Sequence, residues 1–331
     1  MSEELFQPAD QILSGETSDV YFLRTREIME REGLNPRATM EFFSSRAGLL
    51  CGMREVEALL RAVLADDAEV WALTEGATMA AREVVLRLTA PYLCYGIYET
   101  AILGILASET AWATAAAECV EAAGGIPVAS FGARHVHPLA APYIDYAAIV
   151  GGCQSGSTSI GSLMAGKEPS GTMPHAMVLC FGDTVRAAAA FDRHMPPEVA
   201  RVVLVDTFAD EAQESLRVAA ELGERLNAVR LDTPSERGGV TPELVRETRA
   251  RLDQAGFAWV GIFVSGGVTP ERIRRFIESG APVAGFGVGS YISSAAPNDF
   301  TADIKEIEGR PVAKRGRIPG ITANDRLQRL I

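Results

Sequence analysis

A handful of short stretches in this chain set arginine, histidine, aspartate and paired glycines close together, and those residue types suit the binding of a phosphorylated sugar. Phe131-Gly132-Ala133-Arg134-His135-Val136-His137-Pro138 puts an aromatic ring, an arginine and two of the four histidines into one segment. Ser170-Gly171-Thr172-Met173-Pro174-His175 ends on another histidine, and Arg230-Leu231-Asp232-Thr233 pairs a cation with a carboxylate. Ser265-Gly266-Gly267 and Gly285-Phe286-Gly287-Val288-Gly289-Ser290 supply glycines, and Asp206 stands alone after an apolar run. Arg134 and Arg230 can fork onto phosphate oxygens through charge-assisted hydrogen bonds of about 1.5–3 kcal/mol each. Glycine lets backbone N–H groups approach a phosphate at the head of a helix. Asp206 and Asp232 are candidates to bind ribose hydroxyls or to hold Mg2+ on a pyrophosphate.

Each signal also has a plainer reading. Loop histidines are commonly structural, and a glycine run such as 285–289 can serve only a tight strand-to-helix turn. An aspartate after a strand can simply cap the next helix, a reading that suits Asp206 better than Asp232, which is flanked by Arg230 and Thr233. His194, followed by Met-Pro-Pro, reads as a surface residue. Lys314-Arg315-Gly316-Arg317 reads equally as a solvated tail.

What must position these residues is a repeating unit. From residue 126 onward, short apolar β-branched runs alternate with amphipathic helical stretches. Strands are expected at 126–131, 147–151, just before His175, and at 202–206, 228–232, 259–264 and 283–287. Helices are expected at 210–225, 242–255 and 270–279, the last two opening on Thr-Pro, an N-cap followed by proline at the first helical position. About seven such units predict an irregular, closed or nearly closed (β/α) barrel, with an open doubly wound sheet as the alternative. Strand ends then share one face, where working residues gather. The first hundred residues differ: helices are expected at 18–32, 55–64 and 91–106, and strands at 69–73 and 84–88. The expected organisation is α/β throughout: a separate N-terminal α+β domain over 1–110, joined by 291–331 through a returning strand at 304–311, and a barrel over 111–290.

Composition narrows the function. With 331 residues and 47% of them apolar, the chain can bury a large core. Its 31 Lys+Arg against 43 Asp+Glu give a formal charge of −12, which repels polyanions and argues against nucleic acid as a partner. A small phosphorylated ligand remains compatible, because a few cations can reverse the potential inside one cleft. The five cysteines (Cys51, Cys94, Cys119, Cys153, Cys180) show no CxxC pairing and fit buried free thiols in a reducing compartment. The start is acidic without an apolar h-region, and the apolar run 101–107 is too short to span a membrane. A cytoplasmic protein without membrane association is expected.

Seven segments, in order from about residue 15 to 317, resemble the nicotinate phosphoribosyltransferase family, most of all its archaeal-type branch. They are 17–25 (TSDVYFLRT), 131–138 (FGARHVHP), 171–176 (GTMPHA), 230–235 (RLDTPS), 263–267 (FVSGG), 286–289 (FGVG) and 311–316 (PVAKRG). The resemblance implies a type II phosphoribosyltransferase whose active site lies at a head-to-tail homodimer interface, in a dimer or larger homo-oligomer. It implies that Asp19 and Tyr21 come from the partner subunit, Tyr21 stacking a pyridine ring against Phe131. Arg134, with His135 beside it, would meet the nicotinate carboxylate or a nearby phosphate. His175 would be the active-site histidine that some members phosphorylate when ATP is used. Arg230 and Asp232 would hold phosphate and ribose. Gly266, Gly267, Gly287 and Val288 would wrap the 5′-phosphate, and Lys314 would lie near the pyrophosphate. Nicotinamide-using relatives carry Gly-Asp where this chain has Ser265-Gly266-Gly267, so an acidic contact is missing, which fits an acid substrate. Archaeal-type relatives often continue into a cysteine-rich metal knuckle that is absent here, so no structural zinc is expected.

The resemblance thus implies transfer of the ribose 5-phosphate of phosphoribosyl pyrophosphate (PRPP) to nicotinate in NAD biosynthesis, with Mg2+ on the pyrophosphate and ATP as an optional coupling partner. His175, Arg230 and Asp232 are the expected catalytic residues. Two alternatives stand beside it: a quinolinate phosphoribosyltransferase, which would also decarboxylate, and a non-catalytic nucleotide-binding paralogue.

Overall fold

The computed structural model describes residues 3–331. They divide into two compact units, one running up to Thr114 and including Met164–Gly166 and Ala295–Ile331, the other formed by Ala115–Leu163 with Lys167–Ser294.

The first unit holds β1 (Arg37–Ser44), β2 (Gly48–Leu49), β3 (Glu69–Ala72), β4 (Thr78–Met79) and β5 (Val84–Pro91). The second holds β6 (Val128–Ser130), β7 (Arg201–Leu204), β8 (Leu226–Leu231), β9 (Gly261–Val264) and β10 (Gly285–Val288). The chain then returns to the first unit as β11 (Phe300–Ile307), β12 (Arg310–Pro311) and β13 (Gln328–Arg329).

In the first unit an antiparallel sheet runs β12-β11-β1-β5-β3-β13, and β2 pairs with β4 in a separate ribbon. The helix Met53–Val63 lays Val56, Leu59 and Leu60 into the same core as Phe42, Val70, Leu86 and Leu88. β1 is a central strand that the sequence pattern does not announce, because Glu41 interrupts its apolar run. Glu41 is only 1% exposed, and its directly opposite neighbour on β5 is Arg87, whose Nε donates to Glu41 Oε1 at 2.9 Å. A charge inside a strand is tolerated when its cross-strand partner is the opposite charge.

The second unit is a parallel sheet in the order β6-β10-β9-β8-β7. Parallel neighbours need long crossovers, which the helices Glu211–Leu222, Pro242–Gln254 and Pro270–Glu278 provide. Each starts where a side chain takes up orphan N–H groups: Asp210 accepts from Ala212 and Gln213, Thr241 from Leu244, and Thr269 from Arg272.

Several expectations are corrected. Residues 147–151 are not a strand but the end of the helix Ala141–Val150. A short buried apolar run is ambiguous between strand and helix, and here the helical reading wins over ten residues. The stretch before His175 has no regular structure. The parallel sheet therefore has five strands rather than seven, extended past β6 by one parallel bridge, Ala129 to Ser155. Among the described residues no ladder closes β7 onto that edge. The helix expected at 91–106 is instead a short one, Tyr92–Tyr95, a single 3-10 turn, and the 25-residue helix Glu99–Ala123. The alanine-rich stretch beyond 110, made of the best helix former, carries it on. No helix is long and apolar enough to cross a membrane among the described residues. All five cysteines are free thiols; Cys51, Cys119 and Cys153 are buried, Cys94 is partly covered, and Cys180 is exposed.

Candidate active site

Because β6, β10, β9 and β8 are parallel neighbours, the segments following them emerge on one side of the sheet. There they line a cleft of about 500 Å3, a size suited to a small ligand. Phe131, Arg134 and His135 follow β6; Arg230 and Asp232 come from the end of β8; Ser265, Gly266 and Gly267 follow β9; Gly287 and Gly289 come from β10 and its exit. Thr172 and His175 complete the wall at the start of the helix His175–Phe181.

The most connected group is Arg230. Its Nε donates to Ser265 Oγ at 3.0 Å, Nη1 to Thr172 Oγ1 at 2.6 Å and Nη2 to Asp232 Oδ2 at 2.9 Å. Its guanidinium carbon also lies 5.2 Å from the centre of the Phe131 ring, so one ring face carries a cation–π contact. Ser265, 1% exposed, in turn donates to Asp232 Oδ1 at 2.9 Å. Asp232 is thus fixed at both oxygens, and Gly266, at φ 86°, lets the chain pass so close that an added Cβ would sit 3.0 Å from Asp232 Oδ1.

His175 presents Nε2 to both oxygens of Asp206 at 3.1 Å, and the Asp206 side chain is only 2% exposed. That hydrogen bond, foremost, holds the imidazolium above its ordinary range; burial opposes it, and the charges of Asp206 and Asp232 add to it. The capping role open to Asp206 in the sequence belongs instead to Asp210.

Arg134 is exposed in the cleft, donates to His135 Nε2 at 3.4 Å and has no carboxylate partner among the described residues. His135 Nδ1 lies 3.2 Å from Ser293 Oγ. Val288 is fully buried, with its carbonyl taken by the Phe131 N–H at 2.8 Å, and does not line the cleft. Asp19, Tyr21 and Lys314 belong to the first unit and are absent from the lining. There Asp19 accepts from Tyr21 and Thr100, at 3.4 and 3.1 Å, and Lys314 pairs with Asp303 at 2.9 Å. His194 ends the exposed side of the helix Thr184–His194.

Both carboxylates at the cleft are already engaged by cationic or hydroxyl donors: Asp232 accepts from Arg230 and Ser265, and both oxygens of Asp206 face His175.

Four contributors escaped the sequence reading. Ser157 and Thr158 line the cleft because Asp145, fully buried, accepts from both their N–H groups at 2.9 and 2.7 Å and from Ser130 Oγ at 2.8 Å. The signal was a single acid inside the apolar run 143–150. Thr172 and Ser265 stand within the segments 170–175 and 265–267, but nothing in spacing shows that both hydroxyls converge on Arg230.

The model of the quinolinate phosphoribosyl transferase C-terminal domain matches residues 112–303, and that of the N-terminal domain matches 19–110. A nicotinate phosphoribosyltransferase of Mycobacterium tuberculosis (strain CDC 1551 / Oshkosh) is 35% identical over 229 residues, 68% of this chain and 48% of that protein. The chain thus spans about half the length of the curated relatives it matches. Among solved structures, the nicotinate-nucleotide pyrophosphorylase of Pyrococcus furiosus is similar with a TM-score of 0.87 and 43% identity, covering 95% of this chain and 81% of that one. Human nicotinic acid phosphoribosyltransferase shares the fold, with a TM-score of 0.75 at 21% identity over 92% of this chain and 77% of that one.

Proposed function

The chain belongs to the quinolinate phosphoribosyl transferase family of type II phosphoribosyltransferases, and from that premise we propose that it is a nicotinate phosphoribosyltransferase acting in NAD biosynthesis. The observation that carries this reading is the convergence of Arg134, His175, Arg230 and Asp232 with the glycine turn at 266–267 and Gly287 of β10 on one cleft.

In the reaction, the pyridine nitrogen of nicotinate forms a bond to C1 of the ribose while the C1–O bond of PRPP breaks and its electron pair leaves with pyrophosphate. Nicotinate nitrogen is already a free nucleophile, so no general base is needed, and catalysis rests on positioning and charge stabilisation. Asp232, held rigidly by Arg230 and Ser265, faces the positive charge that develops on the ribose ring. Phe131 offers the pyridine an apolar edge, with Arg230 and Arg134 as partners for its carboxylate and for phosphate. The turn at Gly266 and Gly267 takes the 5′-phosphate on backbone N–H groups. Mg2+ belongs to this scheme only as the companion of the pyrophosphate. Asp206 holds Nε2 of His175, leaving Nδ1 to accept a phosphoryl group from ATP. Asp19 and Tyr21 are assigned to the cleft of a second copy in a homodimer, Lys314 to the neighbourhood of the pyrophosphate, and the five parallel strands to one arc of an irregular barrel, supported by β6, the first of them in sequence, lying beside β10, the last of them. Five unpaired cysteines support a cytoplasmic location.

The test is product analysis with PRPP and either nicotinate or nicotinamide, with and without ATP. Nicotinate mononucleotide and steady-state pyrophosphate release are the expected outcome, and binding without turnover would leave only a nucleotide-binding paralogue. His175→Ala should remove any ATP stimulation and leave a slower residual transfer; stimulation equal to that of the wild type would end the phosphoryl-acceptor role.

A second reading, quinolinate phosphoribosyl transfer with decarboxylation, is favoured by the domain models; of the surplus basic pair His135 and His137 that a second carboxylate would need, only His135 lines the cleft. CO2 release from quinolinate in the presence of PRPP would establish it.

A further inference from the structure

Arg272 lies outside the cleft lining, yet it fixes the glycine turn that the lining depends on. It sits in the first turn of the helix Pro270–Glu278, where Thr269 Oγ1 accepts its backbone N–H at 3.3 Å. Its Nη1 donates to the carbonyls of Gly266 and Gly267, at 2.5 and 2.7 Å, and its Nη2 to the carbonyl of Val240 at 3.0 Å. One guanidinium therefore ties together the segments that follow β8 and β9.

In a trans peptide the C=O of one residue and the N–H of the next point in opposite directions. With both glycine carbonyls drawn to Arg272, the N–H groups of Gly267 and Val268 must point away from it. Neither N–H donates to any group among the described residues. Gly266 and Gly267 adopt φ of 86° and 60°, which only glycine sustains cheaply, so the turn depends on an external tie to keep this orientation. Arg272 is also half-buried and forms no ion pair among the described residues, so its charge stays available to an anion nearby.

We propose that Arg272 is a positioning residue, which shapes the Gly266-Gly267 turn into the subsite for the 5′-phosphate without touching the substrate. That the anion is a sugar phosphate rests on the phosphoribosyl-transfer reading; that the turn binds an anion through Arg272 does not.

The experiment compares wild type, Arg272→Gln and Arg272→Lys in two assays. Steady-state transfer is measured with PRPP and nicotinate varied separately, and inorganic phosphate is titrated against thermal unfolding. R272Q should raise the KM for PRPP roughly tenfold, with the KM for nicotinate within about twofold and kcat within about threefold. It should raise the half-stabilising phosphate concentration by a similar factor, and R272K, which keeps the charge and three donors, should recover part of both losses. An unchanged KM for PRPP and an unchanged phosphate titration in R272Q would overturn the proposal, as would equal increases in both KM values. R272K as impaired as R272Q would also count against it, and if R272Q fails to fold, R272K decides alone. A wild-type protein that binds phosphate in an Arg272-dependent way but transfers nothing would remove the transfer reading and keep this one. A wild type that binds no phosphate removes the proposal.

Discussion

His175 and Asp206 are the pair in which residue chemistry is most sharply set. A carboxylate 2% exposed, with both oxygens 3.1 Å from Nε2, stabilises the imidazolium more than burial disfavours it. The folded-state pKa of His175 is therefore raised above its unfolded value of about 6.5. By linkage, this pair's contribution to stability is fully present below about pH 6.5 and is lost as pH rises through the raised folded value. Asp206→Asn should bring the His175 titration back down, as followed by NMR of the ring nitrogens. Because a phosphoryl acceptor at Nδ1 must be unprotonated, the acidic limb of any ATP-stimulated rate should move to lower pH in D206N. An unmoved NMR midpoint would show that Asp206 does not set the value. The sequence displayed His175, Arg134, Arg230 and Asp232 as chemistry-bearing by type alone. It did not display the His175–Asp206 pair, since 31 residues separate them and only the placement of β7 beside the cleft wall joins them.

Among elements, β10 best shows how pattern and purpose differ. The run Gly285 to Gly289 suggests a phosphate-binding turn, yet within the strand Gly285 and Gly287 share one face by the two-residue period. A Cβ on Gly287 would enter the ring of Phe131, and one on Gly285 the ring of Phe263. The strand is therefore first a flat bed for two aromatic rings, while Phe286 on its other face packs against Phe276 in the core. Gly287→Ala should cost about 1–3 kcal/mol in denaturant unfolding and push Phe131 into the cleft, raising the KM for the pyridine substrate. Full stability with an unaltered KM would show that Phe131 has room to move. Helices with Thr-Pro starts are readable because their caps are local, whereas residues 147–150, the end of the helix Ala141–Val150, read as a strand because this apolar run is buried on nearly all sides and carries no periodicity.

At the scale of the whole molecule, the last forty or so residues matter as much as the first hundred. β11 pairs with β1 and β13 with β3, so the first unit's sheet is assembled from opposite ends of the chain. Glu41 locks that assembly, accepting from both Arg87 Nε at 2.9 Å and the Thr322 N–H at 3.0 Å. Arg87→Leu leaves a carboxylate that is 1% exposed without its cation and should destabilise the protein by about 3–5 kcal/mol in urea unfolding; a loss below about 1 kcal/mol would mean that water or a neighbour replaces the arginine. The charge of −12 has no such local address and acts only as a field that repels polyanions outside the cleft. By itself the sequence determined the βα alternation, the capped helices and the presence of residue types suited to a phosphorylated ligand, because these depend on periodicity, capping and side-chain chemistry within a few residues. Tertiary structure alone decided that the parallel sheet has five strands, that β1 is central, that Asp206 serves His175 and that Arg272 holds the glycine turn. Each of those rests on contacts between distant segments, whose partners no local spacing records.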